Sequence, residues 1–402
     1  MKRFVYRTLL IASAVSMHPA LAGDWDVSGS FAGEVRIFPK SPAFPTQKNA
    51  TISPSFSATP EFVYDDRDRE NRYTFTPFLR WDASDANRTH ADIREANWLH
   101  SGESWDLVAG ISKVFWGVTE SRHLVDIINQ TDAVEDINGQ DKLGQPMINF
   151  NLIFPQDSLR VFVLPGFRTR AFPASNARLR GPLPIDNNPV YQASTGKQHV
   201  DGAIRWTHTA GEWDIGLAHF YGTSREPRLL PRTDANGRTS LIPYYDLIHQ
   251  TSLDLQLTKE STLWKLEAIT RSGQGNRFFA AVAGLEYTFY GAFKTPTDLG
   301  VLAEYLYDGR NPATAPATTA NNDVFLGARL TLNDVQGTQF LGGVVVDHHT
   351  QAAFYRVEAE RRIGQSSKIS ITGRFFANVP ASDPVSGIRN DGFITLRLSQ
   401  YF

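Results

Sequence analysis

Apolar and polar residues alternate one for one along segment after segment of this chain. Nowhere does an apolar run reach the roughly 18 residues that a membrane-crossing helix requires. From Trp25 to Phe38, the residues Trp25, Val27, Phe31, Val35 and Ile37 share one face with Gly29 and Gly33, and Asp26, Ser28, Ser30, Glu34 and Arg36 share the other. A helix would need apolar residues three and four apart, and these are two apart. The pattern returns at Tyr73, Phe75, Leu79 and Trp81 against Arg72, Thr74, Thr76, Arg80 and Asp82. It returns again at Val200, Ile204 and Trp206, at Thr251 to Leu257, at Leu299 to Tyr307 and at Ile369 to Phe375. The last residues place Ile394, Leu396, Leu398 and Phe402 on one face and Thr395, Arg397 and Ser399 on the other. Strands of this kind meet a different environment on each side.

The N-terminus bears on what those environments are. Lys2, Arg3 and Arg7 form a basic region, Leu9 to Met17 a short apolar core, and Ala20-Leu21-Ala22 a small-x-small cleavage site. This reads as a secretory signal peptide over residues 1–22, with the mature chain beginning at Gly23. A strand that closes on an aromatic, as Phe393 to Phe402 does, resembles the terminal strand of Gram-negative outer-membrane β-barrels, which implies that the barrel-assembly machinery reads Phe402. Only a closed barrel lets strands satisfy their backbone groups in lipid. Aromatic residues make up 12% of the chain, as girdles at two membrane interfaces require, and the mean hydropathy of -0.30 is low because alternation hides the apolar face. There is no Cys, hence neither disulfides nor a Cys-ligated metal, and a net charge of -2 argues against nucleic acid as a partner.

Connections of two lengths join the strands. Tight turns read at 101–103, 155–158, 209–212, 259–262, 333–337 and 364–367, and long loops at 39–51, 117–146, 168–197, 223–245, 309–321 and 378–390. Short periplasmic turns opposite long extracellular loops, with both termini at the periplasm, predict an all-β fold. It is a transmembrane antiparallel β-barrel of about 18 strands over residues 23–402, and its polar faces are expected to line an aqueous lumen.

The stretch Gly117 to Pro146 is too long for a tight turn. At Leu124, Val125, Ile127 and Ile128 it is too apolar to sit in water. It is expected to fold into the lumen, with room for a helical turn, and to bring Glu120, Arg122, His123, Asp126, Asn129 and Asp132 to a constriction. The alternative is an external cap. Trp116-Gly117, then Glu120, then Asp126-Ile127-Ile128-Asn129 and Asp132 resemble an uncharacterised family of porin-like outer-membrane proteins, similar in architecture to alginate-export barrels. Leu164 to Arg168 and Gly222 to Arg228 also look familiar from that group. The resemblance implies a barrel and transport, and names no substrate.

Arg168, Arg170, Arg178 and Arg180 crowd one loop, and Arg225, Arg228 and Arg232 the next. Such clusters attract carboxylates and phosphates and would form an anion-attracting vestibule. Alternatively they pair with neighbouring Asp and Glu or with lipopolysaccharide. Asp136 to Asp141 lacks the spacing and the bidentate Glu of a calcium loop, and the adjacent His348 and His349 face opposite ways, so no metal or cofactor is expected. His219 sits on a lipid-facing row with no Ser at an interpretable spacing, so no enzyme is expected. The function expected is a porin that passes hydrophilic solutes, from small to oligomeric, with anionic ones as candidates. An export barrel with a periplasmic partner, an adhesive barrel and, last, a lipid hydrolase remain alternatives. Membrane lipid, lipopolysaccharide and the solute are the expected partners. A homo-oligomer stays open, because subunit-facing and lipid-facing strands read alike.

Overall fold

The computed structural model describes residues 23–402, so the expected signal peptide lies outside the described residues. In chain order the strands are β1 (Gly23–Ile37), β2 (Ile52–Asp66), β3 (Asn71–Asp82), β4 (His90–Ser101), β5 (Trp105–Ser112), β6 (Gln145–Ile153) and β7 (Asp157–Pro165). There follow β8 (Val190–Tyr191), β9 (Val200–Ala210), β10 (Trp213–Thr223), β11 (Arg228–Thr233), β12 (Thr239–Tyr245), β13 (Leu247–Lys259) and β14 (Thr262–Ser272). The chain ends with β15 (Phe278–Phe289), β16 (Asp298–Asp308), β17 (Asn322–Thr331), β18 (Gln339–Asp347), β19 (Ala353–Ile363), β20 (Ser367–Ala377) and β21 (Phe393–Tyr401). Eighteen of these form one antiparallel sheet that closes on itself where β1 pairs with β21, from Ile37 opposite Ile394 to Ser30 opposite Tyr401. The other three, β8, β11 and β12, make a small sheet outside the wall.

Alternation sets which side chains face out. Trp25, Phe31, Leu79, Leu217, Val301, Leu396 and Leu398 stand exposed on the outer surface. Aromatics gather at the strand ends nearest the short turns. Trp25, Tyr64 and Tyr73 sit 5.1 and 6.1 Å from ring to ring in sequence, and Trp105 lies 5.7 Å from Phe150. This is the girdle that an interface selects. Phe402 stacks on Phe31 at 5.1 Å, and Gly29 and Phe402 exchange two backbone hydrogen bonds, so the last residue completes the seam.

Three details differ from the sequence reading. The long connection after β5 runs from 113 to 144, because Gln145 and Pro146 already pair with Ser112 and Ile111. The loop expected over 223–245 is itself ordered as the β11–β12 hairpin, Arg228 opposite Tyr244 and Thr233 opposite Thr239. The interior is not polar throughout. From β6 to β17 the inner wall presents Met147, Phe162, Leu164, Phe220, Ile248, Ile269, Phe278, Leu302, Leu306 and Phe325, all buried in one apolar cluster. A hydrated wall would not carry that surface, and the inward segment provides its cover.

Candidate functional site

The segment 113–144 runs through the barrel interior, and its two halves meet opposite walls. In the first half, Trp116, Leu124, Val125, Ile127 and Ile128 join the apolar cluster, with Val125 and Ile128 fully buried. Each such side chain contributes ~1.5–3 kcal/mol when taken fully from water. The polar groups of this half are met by inward-facing carboxylates of the wall. Glu267 of β14 accepts from the backbone N–H of Val118 (2.8 Å), Thr119 (3.0 Å) and Val125 (3.1 Å), and from the Thr119 hydroxyl (2.7 Å). Glu304 of β16 accepts from the N–H groups of Glu120 and Ser121 at 2.7 and 2.8 Å. Gly117 stands at φ 143°, and a Cβ there would lie 2.9 Å from Glu267 Oε1 and from His123 Nδ1, so the Trp-Gly pair is needed where the chain turns against the wall.

The second half meets the charged wall made by β1, β3, β4 and β20. Asp132 accepts from Arg94 Nη2 at 2.7 Å, Glu135 Oε2 lies 2.7 Å from Arg80 Nη2, and Asp136 accepts from Arg374 Nη2 at 2.8 Å. Arg36 and Arg88 donate to the carbonyls of Glu135 and Val134. The segment contains no helix; short bridges of Thr131 with Lys142 and of Asp132 with Ala171 hold its return. Asp136 to Asp141 folds as a turn in which Asn138 Oδ1 accepts from the Gln140 N–H at 3.0 Å.

The six residues expected at a constriction separate into two sets. Arg122, His123 and Asp126 line a cavity of about 510 Å³ between the segment and the long loops, and Glu120, Asn129 and Asp132 do not. Glu120 pairs with Arg329 at 2.6 Å and with Arg356. Burial pushes its carboxyl up, but those two guanidinium groups outweigh burial and hold it below the usual range. Asn129 is fully buried and ties the base of the segment, accepting from the Val114 N–H and donating to the carbonyls of Ser112 and Leu143, each at 2.9 Å. Asp126 pairs with Lys142 at 3.2 Å, and burial still raises its carboxyl above the usual range.

Of the vestibule arginines, Arg170, Arg180 and Arg225 line this cavity, whereas Arg168, Arg178 and Arg228 do not. Four are engaged by carboxylates: Arg168 with Asp92 (2.5 Å), Arg178 with Asp391 (2.7 Å), Arg225 with Asp201 (2.7 Å) and Arg228 with Asp246 (2.6 Å). Arg170 and Arg180 instead donate to carbonyls, Arg170 to that of Arg225 at 2.7 Å and Arg180 to that of Gly181 at 2.8 Å. Arg271, Arg356 and Lys142 complete the cationic lining with Arg122, and Asp126, Asp136 and Glu226 supply its carboxylates. Burial raises Glu226, yet Arg310, Arg271 and Arg122 around it hold it well below the usual range. Alternation puts Glu267 and Glu304 on the inner faces of β14 and β16, but only their position opposite the turn of the segment reveals what they hold. His219 lies on the outer wall, its Nδ1 2.9 Å from the Thr251 hydroxyl.

The fold and the filled interior define an outer-membrane-type β-barrel with an inserted segment. No sequence family and no curated protein matches the chain. Among solved structures it is similar to Wzi of Escherichia coli, described as an outer-membrane protein involved in group 1 capsule assembly and as a carbohydrate-binding β-barrel. The TM-score is 0.52 at 10% identity, over 94% of this chain and 85% of that one. Mutants of the Rhodopseudomonas blastica porin align over 94% of this chain and all of theirs at 12% identity, with a TM-score of 0.44.

Proposed function

We propose that this protein is a bacterial outer-membrane channel that passes hydrophilic, anionic solutes passively, with the segment 113–144 as its constriction. The observation that carries the proposal is the cavity lining, in which seven cationic side chains stand against three carboxylates. A fixed excess of guanidinium groups in a restricted space attracts acidic solutes and repels cations. Arg170 and Arg180 are the residues whose charge reaches a passing solute, since neither forms an ion pair with a carboxylate within 4.0 Å among the described residues. The test is single-channel current of the refolded protein in a planar bilayer under a salt gradient. Discrete steps and an anion-selective reversal potential are expected, shifted toward cations by Arg170→Gln with Arg180→Gln. A bilayer without steps would defeat the channel reading.

A second reading is supported by the apolar cluster, which fills one side of the lumen. Under it the barrel is closed and the cavity binds a carbohydrate, the property that the description of Wzi gives for that protein. Silent bilayers together with saturable binding of an acidic oligosaccharide would favour this reading over the first.

A further inference from the structure

His90, at the start of β4, meets Asp132 and Glu135 of the inward segment. One nitrogen or oxygen from each of the three lies within 4.8 Å of the other two. The Asp132 carboxylate is fully buried and the Glu135 side chain is 8% exposed. Each carboxylate spends one oxygen on an arginine, Asp132 Oδ2 on Arg94 and Glu135 Oε2 on Arg80, both at 2.7 Å. The remaining oxygens, Asp132 Oδ1 and Glu135 Oε1, are buried with no hydrogen-bond partner among the described residues, and so is His90 Nε2. His90 Nδ1 lies 3.0 Å from the carbonyl oxygen of Arg88. A carbonyl can only accept, so Nδ1 carries a proton and Nε2 is the ring atom turned toward the carboxylates, 3.8 Å from Asp132 Oδ2 and placed to give a lone pair to a metal. Two carboxylate oxygens and an imidazole nitrogen buried together without hydrogen-bond partners are costly.

A cation among them converts the repulsion into coordination. The second shell is already in place, with a carbonyl orienting the imidazole and an arginine orienting each carboxylate, as metal ligands require. We propose that His90, Asp132 and Glu135 bind one divalent cation of the Zn²⁺ class and thereby pin the inward segment to β4. An imidazole donor favours Zn²⁺ over Ca²⁺ and Mg²⁺, which prefer oxygen ligands throughout. Three protein ligands leave a coordination position for water or for a group on a passing solute. The wall supplies one ligand and the segment two, so binding is coupled to the segment's position.

The experiment is isothermal titration calorimetry of the chelator-stripped, refolded barrel with ZnCl₂, alongside His90→Gln and Glu135→Gln. Folding of each variant is checked by the heat-dependent mobility of the barrel on a gel. One Zn²⁺ per barrel is expected, with affinity lowered at least tenfold in both variants, absorption-edge spectroscopy reporting nitrogen and oxygen donors, and no displacement by millimolar Ca²⁺ or Mg²⁺. Binding that both variants retain would place the ion at another of the 10 histidines and overturn the proposal. So would a wild-type barrel that takes up no Zn²⁺. Equal competition by Ca²⁺ would overturn the assignment of metal class.

Discussion

The two halves of the inward segment are anchored by different forces. Leu124 to Ile128 lie against an apolar wall, and the backbone of this half is caught by Glu267 at Val118, Thr119 and Val125 and by Glu304 at Glu120 and Ser121. Asp132 to Asp136 lie against arginines of the opposite wall. The Leu124 to Ile128 contact is short-ranged and indifferent to salt, although Glu120 of the same half pairs with Arg329 and Arg356. The Asp132 to Asp136 anchor is electrostatic, and each buried pair returns little net stability after desolvation, although breaking one partner is costly. A plug seated by apolar contact at Leu124 to Ile128 and tied by ion pairs at Glu120 and from Asp132 to Asp136 can loosen at its ion pairs while remaining seated at the apolar contact.

The severest challenge to this contrast is a charge in the apolar anchor. Val125→Asp would place an unpaired carboxylate at a fully buried position in the apolar cluster that also holds Ile269 and Phe220, at a cost of several kcal/mol. The first half should leave the wall, and single-channel conductance should rise toward that of a barrel lacking residues 118–141. Unchanged conductance would mean that this half does not limit the pathway. Glu267→Ala comes next. It orphans the backbone N–H groups of Val118, Thr119 and Val125, each worth ~1–3 kcal/mol if left dry, while the Thr119 hydroxyl keeps the Arg122 carbonyl at 2.6 Å. Protease cleavage within 117–128 should accelerate in the variant, and a cleavage pattern identical to wild type would show that water replaces the carboxylate at no cost.

Residues of the wall were legible in the sequence to a degree that residues of the interior were not. A strand declares its two faces by alternation, so the outward rows of β1, β3 and β21, the closing position of Phe402 and the order of long and short connections could be read directly. The inward course of the segment was legible because Leu124, Val125, Ile127 and Ile128 had no other cover. The ion-pair map was not. Whether Arg178 faces solute or Asp391, 213 residues away, depends on barrel closure and loop packing, to which local pattern is blind. The apolar wall was missed for a related reason. Leu302 and Leu306 interrupt the polar row of Glu304 and Asp308 on β16, and an inward leucine is uninterpretable until the segment that covers it is placed.

A milder test removes charge from the segment while leaving its shape. Glu120→Gln keeps a side chain that can bond Arg329 or Arg356 but strips the pairing with both, a loss of about 1–3 kcal/mol for a partly buried pair. Open-channel noise should increase, with mean conductance changed less than in Val125→Asp. Equal conductance changes in the two variants would erase the distinction between the anchors.

The smallest effect expected is that of pH, and its sign is fixed by the carboxylates concerned. Burial raises Glu120 and Glu226, but Arg356 and Arg329 outweigh it at the first and Arg310, Arg271 and Arg122 at the second, so both titrate below an ordinary glutamate. A group whose pKa is lowered by folding contributes its full stabilisation above the unfolded value, about 4.3, and loses it as pH falls through the folded value. Between pH 7 and 5 these two groups should therefore leave channel noise unaltered. Below about pH 4 the ties of Glu120 and Glu226 should weaken, while the Leu124 to Ile128 contact, having no proton to gain, persists. Acidification should thus loosen the constriction without opening it fully, and Glu120→Gln should blunt the change. A wild-type barrel that opens at low pH to the conductance of the deletion barrel would show that loss of these ion pairs releases the apolar contact as well.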